Sequence, residues 1–289
     1  MITTKKIIGI VALYAPKTED IPRIEKYVDE LDYCILMDDT GKDNSSLFAE
    51  FLGKHKVEYI WNHENIGLCA SVNRGFKKAC EYGADWILVM NPDGTFSNNA
   101  ISIFRNYIEN NNTDKVGIVC PQYNFDRHQR KAKAGVEEIS YTDMAGSLYN
   151  ASILKKMNYY DPNTYFYGLD TEYCLRVIRN KYKIVRCNEA VLNHHPAHTE
   201  KIKIGNKVIF RYGKDKPVRY YYQFRSGFYI HNKYHDLKQD LFMLYKFLKV
   251  MLLFDHKREY LECIRQAKND AKIRYYGVYK NGKDKNSSC

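Results

Sequence analysis

Residues 86–94 read Trp-Ile-Leu-Val-Met-Asn-Pro-Asp-Gly. Five apolar residues run unbroken, and the chain then turns through Asn91, Pro92, Asp93 and Gly94. A near-continuous apolar run of this length marks a strand buried on both faces, as strands of parallel sheets are. Four other runs share the character: Ile7–Leu13, Tyr33–Met37, Val57–Trp61 and Val116–Cys120. Between the runs lie Ile21–Leu31, Ser46–Lys54, Ala70–Tyr82 and Asn99–Asn110, with apolar residues at helical spacing. Strands alternating with helices predict an α/β layer around a mostly parallel sheet.

In such sheets ligands bind beyond the carboxyl ends of the strands. Those ends read Tyr14-Ala-Pro, Asp38-Asp39-Thr-Gly, Asn62-His-Glu-Asn and Asn91-Pro-Asp-Gly. Asn91 and Asp93 can share one hard cation such as Mg²⁺ or Mn²⁺, which takes oxygen ligands and keeps positions for substrate phosphate. The same four residues also make a plain turn. A carboxylate at Asp38 can accept hydrogen bonds from a nucleobase imide or a ribose hydroxyl, while Asp43, Asn44 or Ser45 can cap a helix beside it. In Asn65-Ile-Gly67-Leu-Cys-Ala-Ser-Val-Asn73-Arg74-Gly75 a glycine allows close backbone approach where a helix starts, so phosphate could meet free N–H groups there. The spacing is neither G-x-G-x-x-G nor a Walker loop.

From about 121 to 145 the pattern loosens into a polar, basic stretch, expected as an exposed excursion or lid. Order resumes at Ala145-Gly146-Ser147-Leu148. A helix is expected over Thr171–Asn180, with Glu172 and Arg176 spaced to pair. Asp170 sits near its N-terminus, where negative charge is favoured; it reads either as a capping residue or as a general base facing a cleft. His194, His195 and His198 could supply a metal or phosphate ligand, or be ordinary loop residues. A second polar loop is expected over 196–216 and helices over 217–276.

The chain has 289 residues, 45% hydrophobic and 27% charged, with 26 Tyr and 13 Phe. That composition fills a core and excludes disorder as the main state. The longest apolar run, Leu241–Phe254, is broken by Lys246 and Lys249 and falls short of the roughly 20 residues a membrane span needs. Met1-Ile-Thr-Thr-Lys-Lys leads into a strand-like run rather than a signal peptide. Eight cysteines without a C-x-x-C pair suit reduced, buried thiols and a cytoplasmic location. The net charge of +11 is uneven: residues 201–289 hold 21 Lys and Arg against 8 Asp and Glu, and residues 1–200 hold 24 against 26. A concentrated basic surface implies an anionic partner. Within it, Leu241, Leu244, Tyr245, Leu248, Met251 and Leu252 fall at helical steps, and the helix either packs on the catalytic domain or lies on an anionic leaflet.

The order of these pieces resembles a family 2 glycosyltransferase with the GT-A fold, and more closely its bacterial rhamnosyltransferase-like branch. The resemblance runs from Ile8 to about Tyr234. It is carried by the strand ending in Asp38-Asp39, by Asn65-x-Gly67-x5-Asn73-x-Gly75, by Asn91-x-Asp93, by Ala145-Gly-Ser-Leu, by Asp170-Thr-Glu-Tyr-Cys-Leu-Arg and by Arg219-Tyr-Tyr-Tyr-x2-Arg225. It implies a catalytic domain over 1–215, its nucleotide-sugar half 1–98 and its acceptor half 99–215, followed by a basic helical region over 216–289. It implies that Asp38 holds the base or ribose, with Tyr14, Asp39, Asn65, Gly67, Asn73, Arg74, Asn91 and Pro92 around the donor. Asp93, Asn91 and His194 would hold Mn²⁺ or Mg²⁺, and Asp170 would deprotonate the acceptor hydroxyl. Gly146, Ser147, Glu172 and Arg225 would lie on the acceptor side. The implied reaction is inverting transfer of a sugar, rhamnose first, from a dTDP- or UDP-linked donor to a glycan. That glycan would be bacterial capsule, O-antigen or cell-wall polysaccharide, carried on a polyprenyl diphosphate at the inner face of the membrane. The chain departs from the pattern at Asn91, where the metal motif has an acid, at Leu169, where an acid commonly precedes the base, at Tyr167, where many relatives of this branch carry an acid, and at Ser226, where asparagine usually follows the arginine.

Four rivals stand beside that reading. A UDP-hexose or galactofuranose transferase differs from it only in donor. A nucleic-acid binder would use the basic, Tyr-rich tail, but no nucleic-acid motif is present. A sugar nucleotidyltransferase would want a Gly-rich basic loop where Tyr14-Ala-Pro-Lys-Thr-Glu stands. An inactive nucleotide-sugar-binding relative is suggested by Asn91.

Overall fold

The structure, a computed structural model, describes residues 4–125, 133–193 and 198–280. It divides into two compact units. The first comprises Met1–Asp161 and Tyr173–Pro196, and the second Pro162–Glu172 and Ala197–Cys289.

The first unit opens with β1 (Ile7–Leu13), α1 (Ile21–Val28), β2 (Tyr33–Asp38), α2 (Ala49–Lys54), β3 (Val57–Trp61), α3 (Leu68–Glu81) and β4 (Trp86–Met90). It continues with β5 (Thr95–Phe96), α4 (Ala100–Asn110), β6 (Val116–Asn124), β7 (Val136–Ile139), β8 (Ser147–Asn150), α5 (Ala151–Lys156), α6 (Leu169–Arg179) and β9 (Lys183–Asn193). Helix α6 begins in the second unit and ends in the first. The sheet order is β3-β2-β1-β4-β8-β6-β9-β5, with β7 also on β9. Strands β3, β2, β1 and β4 are mutually parallel, β8 runs against β4 and β6, and β6 is parallel to β9.

The five apolar runs all become strands. Every residue of β1 and β4 is buried, which is why these segments lack polar alternation. Helix α1 seats Ile24, Tyr27 and Val28, and α3 seats Cys69, Val72, Phe76 and Ala79. Each large aliphatic or aromatic side chain so buried contributes about 1.5–3 kcal/mol before the entropy cost of ordering it.

In the stretch expected to loosen from 121, residues 126–132 lie outside the described residues, and the parts on either side are strands. Strand β6 continues to Asn124, and β7 then forms over 136–139. Gln122 and Tyr123 are buried and pair with Val191 and Leu192 of β9, across a bulge after Pro121. Backbone that is buried must find partners, and β9 supplies them.

The second unit holds a hairpin, β10 (His198–Ile204) and β11 (Lys207–Lys214), where a polar loop was expected. Gly205 takes φ +57 between the strands, a value glycine adopts freely, and apolar alternates with charged along Lys201-Ile-Lys-Ile before it. The expected helical region follows as α7 (Pro217–Tyr234), α8 (Leu237–Leu253) and α9 (Lys257–Lys272). Tyr220, Tyr221, Phe224, Val250, Phe254, Tyr260, Cys263, Ile264 and Ala267 form its core.

Candidate functional site

Four loops leave the carboxyl ends of β1, β2, β3 and β4. Parallel pairing sets Leu13 opposite Asp38, Asp38 opposite Trp61, and Val11 opposite Met90. Asn62, Asp38, Tyr14 and Asn91 therefore follow one another along a single edge. Ala15 and His63, just beyond β1 and β3, have left-handed backbone at φ 48 and 67. Such conformations in non-glycine residues cost of order 1 kcal/mol or more and concentrate at functional sites.

The loops are tied together by two acids. Asp38 is fully buried. One carboxylate oxygen accepts from the Thr40 N–H at 2.9 Å and the Thr40 hydroxyl at 2.5 Å. The other accepts from Asn44 Nδ2 at 2.8 Å and the Tyr59 hydroxyl at 2.7 Å. Thr40 also receives the Ala15 N–H on its hydroxyl and the Trp61 indole N–H on its carbonyl, both at 2.7 Å. The His63 ring packs against Trp61 with centroids 4.4 Å apart. Thr40, Asn44, Tyr59, Trp61 and His63 were not singled out as site residues from the sequence.

Asp39 accepts from the backbone N–H groups of Ile66 and Gly67 at 2.9 and 3.0 Å, with Asn62 Nδ2 at 3.3 Å. Burial pushes its carboxyl above the ordinary value, against the pull of those donors. Gly67, at φ 90, is the N-cap of α3. The anion at this helix start is thus the chain's own carboxylate, in a place favoured by the free N–H groups and the helix dipole. Asn65 Oδ1 accepts from the same Gly67 N–H at 3.0 Å. Arg74 donates to Asn62 Oδ1 at 2.8 Å, and Asn73 clamps the backbone of Tyr160 with both ends of its amide, at 2.9 Å each.

At the end of β4, Gly94 N–H closes a turn on the Asn91 carbonyl at 3.2 Å, and Asp93 is exposed. Among the described residues no group of three or more His, Cys, Asp or Glu gathers for a metal. His194 lies outside the described residues. The donors that Asn91 and Asp93 offer are an amide oxygen and a carboxylate, which suit a hard divalent ion.

Gly146 and Ser147 lie inside this unit. Gly146 has φ +79, and a Cβ there would come within 2.9 Å of Leu192. The Ser147 hydroxyl donates to the Asp143 carbonyl at 2.6 Å, in a buried group with Thr142 and Tyr123, whose hydroxyl donates to the Ala145 carbonyl at 2.9 Å. Arg176 donates to the carbonyls of Met157 and Tyr159. Surface hollows of about 460 and 760 Å³ open beside the amino ends of β6 and β9, the edge opposite to these loops.

In the second unit Asp170 stands in the first turn of α6, half-buried, accepting from the Thr171 N–H at 2.7 Å. Glu172 is fully buried and accepts from Lys233 Nζ at 2.8 Å and the Tyr234 hydroxyl at 2.5 Å. Arg225, also fully buried, donates to Tyr221 and to the carbonyls of Tyr276 and Gly277. It lies over the rings of Tyr165, Tyr221 and Tyr222 at 5.1–5.8 Å. The structure therefore joins Tyr14, Asp38, Asp39, Asn65, Gly67, Arg74 and Asn91–Asp93 on one edge, and groups Asp170, Glu172 and Arg225 within the other unit.

The family model described as "Glycosyl transferase family 2" matches residues 24–170. A curated relative, the dTDP-rhamnosyl transferase RfbF of Shigella flexneri, is 22% identical over 282 residues, covering 89% of this chain and 92% of its own. Among solved structures, GalNAc-T7 with UDP, GalNAc and Mn²⁺ superposes with a TM-score of 0.60 at 11% identity over 97% of this chain. The chain spans 60% of that structure's length. S. aureus TarS 1-349 with UDP-GlcNAc gives a TM-score of 0.59 at 13% identity, over 94% of this chain and 88% of its own. These likenesses show a GT-A-like fold.

Proposed function

The chain belongs to glycosyl transferase family 2 and is a glycosyltransferase, and we propose that it moves rhamnose from dTDP-rhamnose to a hydroxyl of a glycan, inverting the anomeric centre. The observation that carries the donor is the loop edge at β1–β4, whose polar groups and left-handed turns stand where α/β sheets take nucleotides. The choice of dTDP-rhamnose rests on the relative of that name. The solved neighbours, described with UDP or UDP-GlcNAc, support a nucleotide-sugar and keep UDP-hexoses as the second reading.

Within this reading Asp38 acts through the loop it organises. Its four protein donors leave little room for a direct ligand, so Thr40, Trp61 and His63 present the surface a base would meet. Asn91 and Asp93 would hold Mn²⁺ or Mg²⁺, together with oxygens of the donor diphosphate and with His194. When bound, the ion neutralises the negative charge that gathers on the departing diphosphate. Asp170 accepts the acceptor's proton as its hydroxyl oxygen attacks the anomeric carbon, the glycosidic bond breaks, and the nucleoside diphosphate leaves with the electron pair. One displacement needs no covalent enzyme intermediate. Glu172, paired with Lys233 and hydrogen-bonded by the Tyr234 hydroxyl, holds the start of α6 and so the aim of Asp170. Arg225 fixes the segment at 276–277, and Gly146 and Ser147 shape their region from inside. We assign the acceptor to a bacterial surface polysaccharide on a polyprenyl diphosphate.

Thermal-shift measurements with Mn²⁺ test the donor. The expected result is a larger rise in Tm with dTDP-rhamnose than with dTDP, UDP-GlcNAc or GDP-sugars. A rise confined to UDP-sugars would replace rhamnose with a hexose.

A further inference from the structure

Helix α8 is apolar almost all round, yet it is not enclosed. One face, with Met243, Phe247, Val250 and Leu253, packs into the core of the second unit. The other exposes Leu237 at 70%, Leu241 at 57%, Leu244 at 52%, Leu248 at 46% and Leu252 at 74%. A helix with apolar residues on every side is ordinarily buried. Seventeen residues are too few to span a bilayer unless flanking residues help, and no described helix is long and apolar enough to cross one.

We propose that this face is the site by which the protein lies on a phospholipid surface rich in anionic headgroups. The chemistry of its margin selects that occupant. Tyr245 and Phe242 border the leucines, with Lys249 over the Tyr245 ring at 5.8 Å and Lys246 over the Phe242 ring at 4.7 Å. Lys238 is exposed beside them. Lys246 and Lys249 turn their ammonium groups to Gln223 Oε1 and the Gly213 carbonyl, so the outward cation of this helix is Lys238. Aromatic rings at headgroup level beside exposed leucines and a lysine form the border of an interfacial helix. Helix α8 carries three lysines against Asp240 alone.

The hairpin extends the surface. The Tyr212 hydroxyl donates to the Leu253 carbonyl at 3.1 Å, and Lys249 Nζ to the Gly213 carbonyl at 2.9 Å, so β11 is fastened to the end of α8. On β11, Ile209 and Phe210 are 55% and 45% exposed, among Lys207, Arg211 and Lys214. Residues 201–289 carry 21 basic against 8 acidic side chains. Two such surfaces repel each other, whereas an anionic leaflet attracts either. That charge argues for lipid over a second copy of the chain.

The full chain is incubated with vesicles of phosphatidylglycerol and phosphatidylethanolamine, and with phosphatidylcholine alone, without donor or acceptor, so the outcome is independent of the sugar transferred. Sedimentation with the anionic vesicles, at least 10-fold stronger than with phosphatidylcholine and weakened at 500 mM salt, is expected. The double variant Leu241→Glu with Leu248→Glu changes only exposed positions and should lose binding at least 10-fold while keeping the wild-type Tm. No sedimentation of the folded wild type, equal binding to neutral vesicles, or undiminished binding by the double variant would each overturn the proposal. So would a dimer in light scattering that the double variant makes monomeric, because the face would then join two copies.

Discussion

Asp38 and Asp39 are neighbours in sequence, both buried, and held by different sets of donors. Asp38 was legible as a strand-end carboxylate. Its saturation was not, because Tyr59 stands 21 residues away and reads as one more apolar residue of a strand. Tyr59→Phe removes one donor and leaves the ring. The expected cost is about 1 kcal/mol of stability, with a several-fold rise in donor KM and little change in kcat as the loop loosens. An unchanged KM would mean that the loop does not touch the donor. Burial raises the Asp39 carboxyl in the folded chain. The folded state thus keeps its proton to higher pH than the unfolded chain. Its contribution is fully present below the ordinary carboxylate value, about 3.9, and is lost as pH rises through the raised one. Asp39→Asn should remove that part of the decline, and Tm followed from pH 4 to 7 should show a shallower slope in the variant. Equal slopes would contradict the assignment.

The strands of the sheet were readable because double burial writes an unbroken apolar run, which Ile7–Leu13 and Trp86–Met90 display. The hairpin was missed although part of its signal was present: Gly205-Asn206 separates Lys201-Ile-Lys-Ile, which alternates, from the apolar run Val208-Ile-Phe. The second run lacks the alternation, which hid the strand among lysines. The continuation of β6 past Pro121 was missed for another reason, since a bulge lets a polar residue such as Gln122 enter a buried ladder. Gly146 was noticed as part of a motif, whereas its cause is steric. Gly146→Ala must place a Cβ within 2.9 Å of Leu192 at φ +79. A loss of about 1–3 kcal/mol is expected from left-handed strain and overpacking, visible as a fall in Tm and in urea midpoint. A variant as stable as the parent would show that the side chains of Leu192 and Pro121 can move aside without cost.

At the scale of the molecule, the charge asymmetry was plain from the sequence, and the structure gives its location: the hairpin and three helices of the second unit. The loop edge at β1–β4, where the donor is proposed to bind, belongs to the first unit, Asp170 to the second. Pattern alone named the acids but could not show which ones the protein uses up internally. Asp38, Asp39 and Glu172 are held by the chain's own donors. In the proposed reaction Asn91 and Asp93 would hold the metal that takes the donor's diphosphate, and Asp170 would take the proton. Isothermal calorimetry of dTDP-rhamnose with Mn²⁺ tests this division most directly. One site per chain is expected in the wild type, with affinity weakened at least 10-fold by Asp93→Ala or by EDTA, and wild-type affinity in Asp170→Asn. Undiminished binding by Asp93→Ala, or loss of binding in a folded Asp170→Asn, would contradict it.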